Sequence, residues 1–472
     1  MGEIKANDLR YANRGPGPTL QEVFDGDGVP APHPFRETPE MEMGTADVSI
    51  DRYKTQAWAD AETEKVWQKV WQVACRAEEI PEVGDYVVYD IVDDSLIVVR
   101  TGEEEIRAYF NACLHRANAL CLEDGHKTEF RCPFHGFTWD LDGSLKRVPG
   151  KWDFEHIPEE EFCLPQAKVG LWGGFVFVNL DPDCAPLGEY LEILPAHLDG
   201  FDFENRYIAV HVSKVMPCNW KICQEAFIEG YHVAETHYQK DGSGNVDPDG
   251  IASYMDDVMI QYDVWPESRH VTRMSMASGV MSQYVVEHGR GEQHIVDKML
   301  QHVPEADRPK LKPGEKARPA LAAYNRKAYG AMYGIDLSAS SDSDVLDQVQ
   351  YTLFPNFTFW PTNFAPLLYR FRPHGNNPDE SIMEVYMLHP NPTDGRPYET
   401  AVTQYLGLDE NWTSVKALGG YGPVLDQDTP NMIRMTKGLK TTRKPGITLA
   451  NYQENRIRQF HQTLDEYLGI KT

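Results

Sequence analysis

Two short segments, CLH at 113–115 and CPFH at 132–135, each place one cysteine and one histidine on a loop, with sixteen residues between them. Thiolate and imidazole are both metal ligands. Two such loops facing each other offer two sulfurs and two nitrogens. One iron can take Cys113 and Cys132 and another His115 and His135, the ligand pattern of a Rieske [2Fe–2S] cluster. Replacing two anionic thiolates by neutral imidazoles raises the reduction potential, so such a cluster accepts one electron from a reduced carrier and passes it on. A Cys₂His₂ zinc site is the alternative, but zinc loops usually pair Cys with Cys and His with His, whereas each loop here mixes them. Pro133 stiffens the second loop, and Gly136 permits close backbone approach to an inorganic sulfide. Cys121 has no histidine at matching spacing and reads as structural; His126 reads as an exposed loop residue.

A second group lies in NWKICQEAFIEGYHVAETH, residues 219–237, with Glu225, Glu229, His232 and His237. At 100° per residue, Glu225, Glu229 and His232 share one face of a helix. A five-residue spacing takes His237 off that face, so the helix must end or bulge before it. Two histidines near a helix end are usually structural. Here an electron carrier on the same chain needs somewhere to deliver, and two imidazoles plus one carboxylate leave open positions on Fe(II) for O₂. The carboxylate has to come from elsewhere in the chain.

The elements that must position these groups are partly visible. Residues 1 to about 45 are rich in Pro and Gly and read as an extended arm rather than a packed unit. Residues 55–75 carry Trp58, Val66, Trp67, Val70 and Trp71 at near-helical spacing. YVVYDIV (86–92), SLIVVR (95–100), IRAYFNAC (106–113) and GGFVFVNL (173–180) read as short antiparallel strands, so residues 76–182 form a compact β unit. Beyond it, helices and strands mix: a helix around 219–233, a loop at 239–250, an exposed connection at 303–320, strands near 351–360, 365–373 and 381–388, and a terminal amphipathic helix. This gives three parts: 1–75 as arm and helices, 76–182, and 183–472.

A chain of 472 residues favours two or more domains. The net charge of -27 argues against nucleic acid and anionic membrane surfaces as partners. No apolar stretch approaches the ~18 residues of a membrane helix, and the first residues lack a signal-peptide core, which points to the cytoplasm. The eight cysteines then read as metal ligands or buried hydrophobes rather than a disulfide framework.

Together, CLHR, CPFHGFTWDLDG and NWK…EAFIEGYHV…TH, with YTLFPNF and YQENRIRQFH further on, resemble the Rieske non-heme iron oxygenases, specifically the large (alpha) terminal subunits of aromatic-ring-hydroxylating oxygenases. The resemblance runs from about residue 50 to 472. It implies an α+β protein: an antiparallel-β Rieske [2Fe–2S] domain plus a helix-grip (START-like) catalytic domain with an antiparallel sheet. It implies that Cys113, His115, Cys132 and His135 hold the cluster and that His232 and His237 hold a mononuclear Fe(II). It places the third ligand in GPVLDQDTPNM (422–432), at Asp428, with Asp426 as the alternative. It gives Glu229 the role of a carboxylate bridging the cluster of one subunit and the iron of its neighbour. The family more often has Asp there, although members acting on quaternary ammonium compounds also carry Glu. Phe137 and Trp139 replace the commoner Trp and Tyr.

The implied function is that of a terminal oxygenase. It would use O₂ and NAD(P)H-derived electrons, through a ferredoxin or flavoprotein reductase, to hydroxylate an aromatic or other apolar substrate, with ring dihydroxylation favoured. The alternatives are mono-oxygenation or oxidative demethylation and, in another class, a Rieske electron carrier without oxygenase activity. A homotrimer or an α₃β₃ assembly is implied. The long separation of His237 from Asp428 suggests an insertion near 240–345 that caps or reshapes the pocket. Phe227, Phe357, Phe359 and Trp360 are aromatic candidates for that pocket, or else core. Arg116, Arg131, Lys146 and Arg147 make a basic surface that would suit an acidic reductase, or are simply solvated charges.

Overall fold

The computed structural model describes residues 18–39, 41–237, 260–281, 285–286 and 289–470. Four sheets organise them. A seven-stranded antiparallel sheet runs in the order Gln72–Arg76, Phe175–Asn179, Gln166–Trp172, Ile106–Phe110, Asp94–Arg100, Asp85–Ile91 and Gly125–His126. A three-stranded sheet, Glu129–Arg131, Thr138–Asp140 and Leu145–Arg147, carries the CPFH loop between its first two strands. Tyr86, Ile97, Val99, Tyr109, Phe130, Phe137 and Trp139 form the core between these sheets.

The larger lobe is built on an eight-stranded sheet: Ile260–Val264, Val271–Met276, Gln348–Leu353, Phe357–Phe359, Leu367–His374, Asn377–Pro390, Arg206–Met216 and Gln404–Leu406. All of its pairs are antiparallel except the last, where Gln404–Leu406 runs parallel to Arg206–Met216. The helix Asn455–Leu468 has most of its residues buried, polar ones included, and lies against this sheet. The helices Trp220–Glu225 and Tyr421–Thr441 complete the wall that carries the second group of candidate ligands. Among the described residues, no helix is long and apolar enough to cross a membrane.

The two lobes share one apolar core. Phe175 and Phe177 of the seven-stranded sheet meet Phe357 of the larger one at 5.0 and 6.3 Å between ring centroids, and Trp172 meets Phe359 at 6.3 Å. Arg370, fully buried, pairs through two nitrogens with Glu384 at 2.6 and 2.7 Å and donates to the carbonyls of Val73 and Ala74, both at 2.6 Å. Satisfying the guanidinium from both lobes is what makes its burial tolerable.

Three expectations are corrected. The helix expected over 55–75 runs only over Gln56–Glu62 with a wider turn at Thr63–Trp67; Gln72–Arg76 is instead a strand, every residue of it buried. Pairing with Phe175–Asn179 overrides the helical spacing there. The described part of the arm is packed, not extended. Leu20–Asp25 is a helix closed by a Thr19/Glu22 capping box, and Leu20, Val23, Phe24 and Phe35 enter the core. The helix expected through 219–233 stops at Glu225. Of the segment 240–345, residues 240–259 lie outside the described residues, as does the loop expected at 239–250. The rest supplies two sheet strands and helices at Glu292–Met299, Ala317–Tyr333 and Asp342–Leu346 with a core of their own. Arg318 ties that unit to the arm through Asp27 and Asp347 at 2.6 and 2.7 Å.

Candidate metal centres

The two Cys/His loops fold alike although their sequences differ. Cys113 N–H donates to the Asn118 carbonyl at 2.9 Å, and its own carbonyl accepts from Ala117 N–H at 2.8 Å. Cys132 N–H donates to the Phe137 carbonyl at 2.8 Å, and its carbonyl accepts from Gly136 N–H at 3.0 Å. The fourth residue after each cysteine has positive φ, 57° at Ala117 and 79° at Gly136, so Gly136 serves the turn itself. Asn111 props the first loop, accepting from Leu120 and Cys121 N–H, both at 3.0 Å, and donating to the Cys121 carbonyl at 2.6 Å. Its place just before Cys113 was the only sequence signal for it.

These turns bury both cysteines and leave His135 exposed and His115 half-buried. The imidazoles meet edge to face with centroids 4.7 Å apart, and Phe137 stacks on His115 at 4.7 Å. Burial, and next the Cys132 sulfur, push the Cys113 thiol above its ordinary range. Desolvation and the neighbouring His135 hold His115 below its usual value, as a neutral ligand must be. Two sulfurs inside and two nitrogens toward the surface, on facing loops, fit a [2Fe–2S] group. Around the loops, Arg116 lies over Phe134 at 5.4 Å, and Lys146 is already paired with Asp140 and Glu129 at 2.7 and 3.1 Å.

At the second site, the chain leaves its helix after Glu225, passes through Gly230 and forms one short turn at Val233–Thr236 between His232 and His237. A Cβ at Gly230 would come within 2.7 Å of Ile260 Cδ1, so the loop packs closely on that strand, and a larger residue would need the Ile260 side chain to move. Glu229 therefore does not share a helix face with Glu225. It closes its own loop, accepting from His232 Nδ1 at 2.6 Å with one oxygen and from the His232 and Tyr231 backbone N–H groups with the other. Glu225 points elsewhere, to Tyr53 Oη at 3.0 Å and His461 Nε2 at 2.9 Å.

The third candidate ligand comes from the helix Tyr421–Thr441. Asp428 Oδ1 stands 3.6 Å from His232 Nε2 and 3.3 Å from His237 Nε2, and all three ligand atoms lie within 4.8 Å of one another. Asp426, the alternative, is occupied otherwise: its oxygens accept from Trp412 and Thr413 N–H at 2.7 and 3.1 Å. Gln427, whose part in the site no sequence pattern signalled, accepts from His237 Nδ1 at 3.0 Å. Each histidine thus spends its Nδ1 hydrogen on an oxygen and turns its Nε2 lone pair toward Asp428. Asp428 Oδ2 is buried and has no hydrogen-bond partner. Burial pushes the Asp428 carboxyl up to about 7, only partly offset by His232. Burial also lowers His237, whereas at His232 the Glu229 hydrogen bond and charge outweigh it and raise the pKa. Two imidazole lone pairs and a carboxylate converging on one point form the donor set of a facial-triad metal ion, and the orphaned oxygen fits the same reading.

Of the aromatic candidates, Phe357 and Phe359 belong to the shared core described above. Trp360 and Phe227 both pack on Tyr369, each at 5.0 Å. The Tyr369 hydroxyl is raised by burial and then by the charges of Tyr421 and Asp428, and Trp360 Nε1 is buried without a partner.

The family model described as ring hydroxylating alpha subunit (catalytic domain) matches residues 198–470, and that of the Rieske [2Fe-2S] domain matches residues 70–158. A chloroplastic choline monooxygenase of Beta vulgaris is 32% identical over 195 residues, which are 39% of this chain and 43% of the relative. The biphenyl 2,3-dioxygenase alpha subunit of Rhodococcus jostii is 30% identical over 205 residues, 42% of this chain and 45% of the relative. The chain thus aligns with less than half the length of these relatives. A quaternary ammonium Rieske monooxygenase, solved with L-carnitine, has the same fold, with a TM-score of 0.60 at 15% identity over 90% of this chain and 96% of that one.

Proposed function

The chain belongs to the ring-hydroxylating alpha-subunit family and carries its Rieske domain; on that premise we propose that it is the terminal component of an oxygenase. The observation that carries the reading is the convergence of His232, His237 and Asp428 on one point, with both imidazole Nδ1 atoms engaged behind them. These three would hold Fe(II) on one side and leave the other to O₂ and substrate. Cys113, His115, Cys132 and His135 would hold the [2Fe–2S] group. When bound, the two groups supply stepwise electron delivery and oxygen activation.

The chain's own residues do the positioning. Glu229 keeps the hydrogen on His232 Nδ1 and fixes the ring. Gln427 does the same for His237. Phe227, Trp360 and Tyr369 offer an apolar, aromatic wall that keeps water from the reacting atoms. A ring-like trimer, with or without a small subunit, would bring the surface histidines of one cluster toward the Glu229 loop of the next subunit. Electrons would reach the cluster from NAD(P)H through a ferredoxin or flavoprotein reductase. We place the protein in the cytoplasm.

Hydroxylation of an aromatic or apolar substrate, with ring dihydroxylation first, suits that wall. A second reading, mono-oxygenation of a quaternary ammonium compound, is favoured by Glu229 in place of Asp, by the choline- and carnitine-acting relatives, and by ring faces able to receive a cation. Turnover under ¹⁸O₂ with a panel of aromatic acids, hydrocarbons and methylated amines separates them. Two labelled oxygens in a diol support the first. One labelled oxygen with C–N cleavage, or in an aldehyde or its hydrate, supports the second. Reoxidation of the reduced cluster with no substrate on the panel labelled would contradict both and favour an electron carrier.

A further inference from the structure

The segment YQENRIRQFH buries an arginine, Arg456, which is 1% exposed. Among the described residues its hydrogen bonds go to neutral oxygens. Nε donates to Thr272 Oγ1 at 3.0 Å and Nη2 to Thr352 Oγ1 at 2.7 Å. Nη1 donates to Gln350 Oε1 at 2.6 Å and to the Ile228 carbonyl at 3.0 Å. Burial draws its pKa down to about 9, so it remains a cation at neutral pH. A buried cation bonded to no carboxylate is an expensive way to fill a core.

Its partners show what it does. Thr272 and Thr352 are cross-strand neighbours, as are Met274 and Gln350, and Met274 also faces Tyr262. Arg456 therefore spans two adjacent rows of the sheet and reaches over them to the loop that carries Glu229 and His232. Gln350 Nε2 donates to the Phe227 carbonyl at 2.6 Å, and Tyr262 Oη accepts from Gly230 N–H at 3.1 Å. The backbone is thus gripped at 227, 228 and 230, on both sides of Glu229. Each grip comes from the sheet or from the helix lying on it.

We propose that Arg456 and Gln350 are positioning residues for the mononuclear metal site: they fix the 227–228 backbone and, through it, the placement of Glu229 and of His232. This rests on the reading of His232, His237 and Asp428 as an iron site. Gln350→Glu separates positioning from simple stability. The new carboxylate gives Arg456 an ionic partner, which holds or raises thermal stability, but it cannot donate to the Phe227 carbonyl. Arg456→Lys keeps the charge and loses the span. The test titrates Fe(II) into the cluster-loaded full chain and records the ferrous–nitrosyl EPR spectrum, with His237→Ala as control.

Both variants should bind Fe(II) about 10- to 100-fold more weakly, the range for residues that orient metal ligands. The nitrosyl spectrum should be altered and the Rieske signal unchanged. Folded variants with affinity within about twofold of the parent and the parental nitrosyl spectrum would overturn the proposal. If Arg456→Lys does not fold, Gln350→Glu alone decides. A parent that binds no iron dependent on His237 would instead sink the reading of the triad.

Discussion

Replacing Asp428 by Asn should abolish substrate oxidation, leave the Rieske EPR signal intact and make the iron-free protein more stable at alkaline pH. The first effect follows from geometry: the Nε2 atoms of His232 and His237 face Asp428 Oδ1, and among the described residues no other carboxylate takes part in that group of ligand atoms. An amide brings no negative charge to balance a divalent ion. The second effect follows from separation, since Cys113 and Cys132 pack in a cluster between the seven- and three-stranded sheets to which the residues around Asp428 do not belong. The third follows from linkage. Burial raises the Asp428 carboxyl from 3.8 to about 7. A carboxyl with a raised folded-state pKa holds its proton in the folded chain after the unfolded chain has lost it. Iron-free stability therefore falls as pH rises from about 4 through about 7 and stays reduced above that, by on the order of 4 kcal/mol. Asn has no proton to lose, so that slope should disappear. Urea melts of iron-free parent and variant at pH 5 and pH 8 measure it. Equal slopes, or parental turnover in the variant, would contradict this account.

Glu229→Ala should cut turnover by two or more orders of magnitude while the protein stays folded and keeps its cluster. The substitution removes the acceptor for His232 Nδ1 and for two backbone N–H groups at once. Each buried donor left unpaired costs about 1–3 kcal/mol, and a metal-ligating ring that loses its orienting partner typically loses about 10- to 100-fold in metal affinity. Iron should still bind at saturating concentration. What is lost is the fixed ring and, in the assembly we propose, the contact with the neighbouring cluster. Glu229→Gln keeps one acceptor oxygen and should fall between parent and Ala. Single-turnover reoxidation of the reduced cluster, compared with product formed, reports the effect; tightly coupled turnover in Glu229→Ala at the parental rate would remove Glu229 from the mechanism.

The candidate ligands stand out in the sequence because their chemistry is local. A cysteine and a histidine within four residues must share a loop, and two such loops suggest one cluster. Gly136 stood out as room for close backbone approach rather than for the turn it makes, and Ala117 takes a positive φ at the matching place without being glycine. His232 and His237 were visible as a pair, but Asp428 was placed by resemblance, and only the fold rules out Asp426 by giving its oxygens to Trp412 and Thr413. The break after Glu225 was not legible at that position, because Glu225 to His232 fits a helical face; the three bonds of Glu229 hold the loop instead. Nor could sequence separate Phe357 and Phe359, which join the two lobes, from Trp360 and Phe227, which do not. That distinction depends on which face of a strand meets the other sheet. Gln427, Gln350 and Arg456 act across 100 residues or more of chain, and no periodicity carries such information.

We propose that one chain holds two unlike iron centres on separate ligand sets. Purified, reconstituted protein should contain about three irons per chain, two of them giving a Rieske EPR signal after dithionite. The third should be lost in His237→Ala without change in that signal. Zinc at the Cys113, His115, Cys132 and His135 loops, or an iron count that His237→Ala leaves untouched, would contradict it.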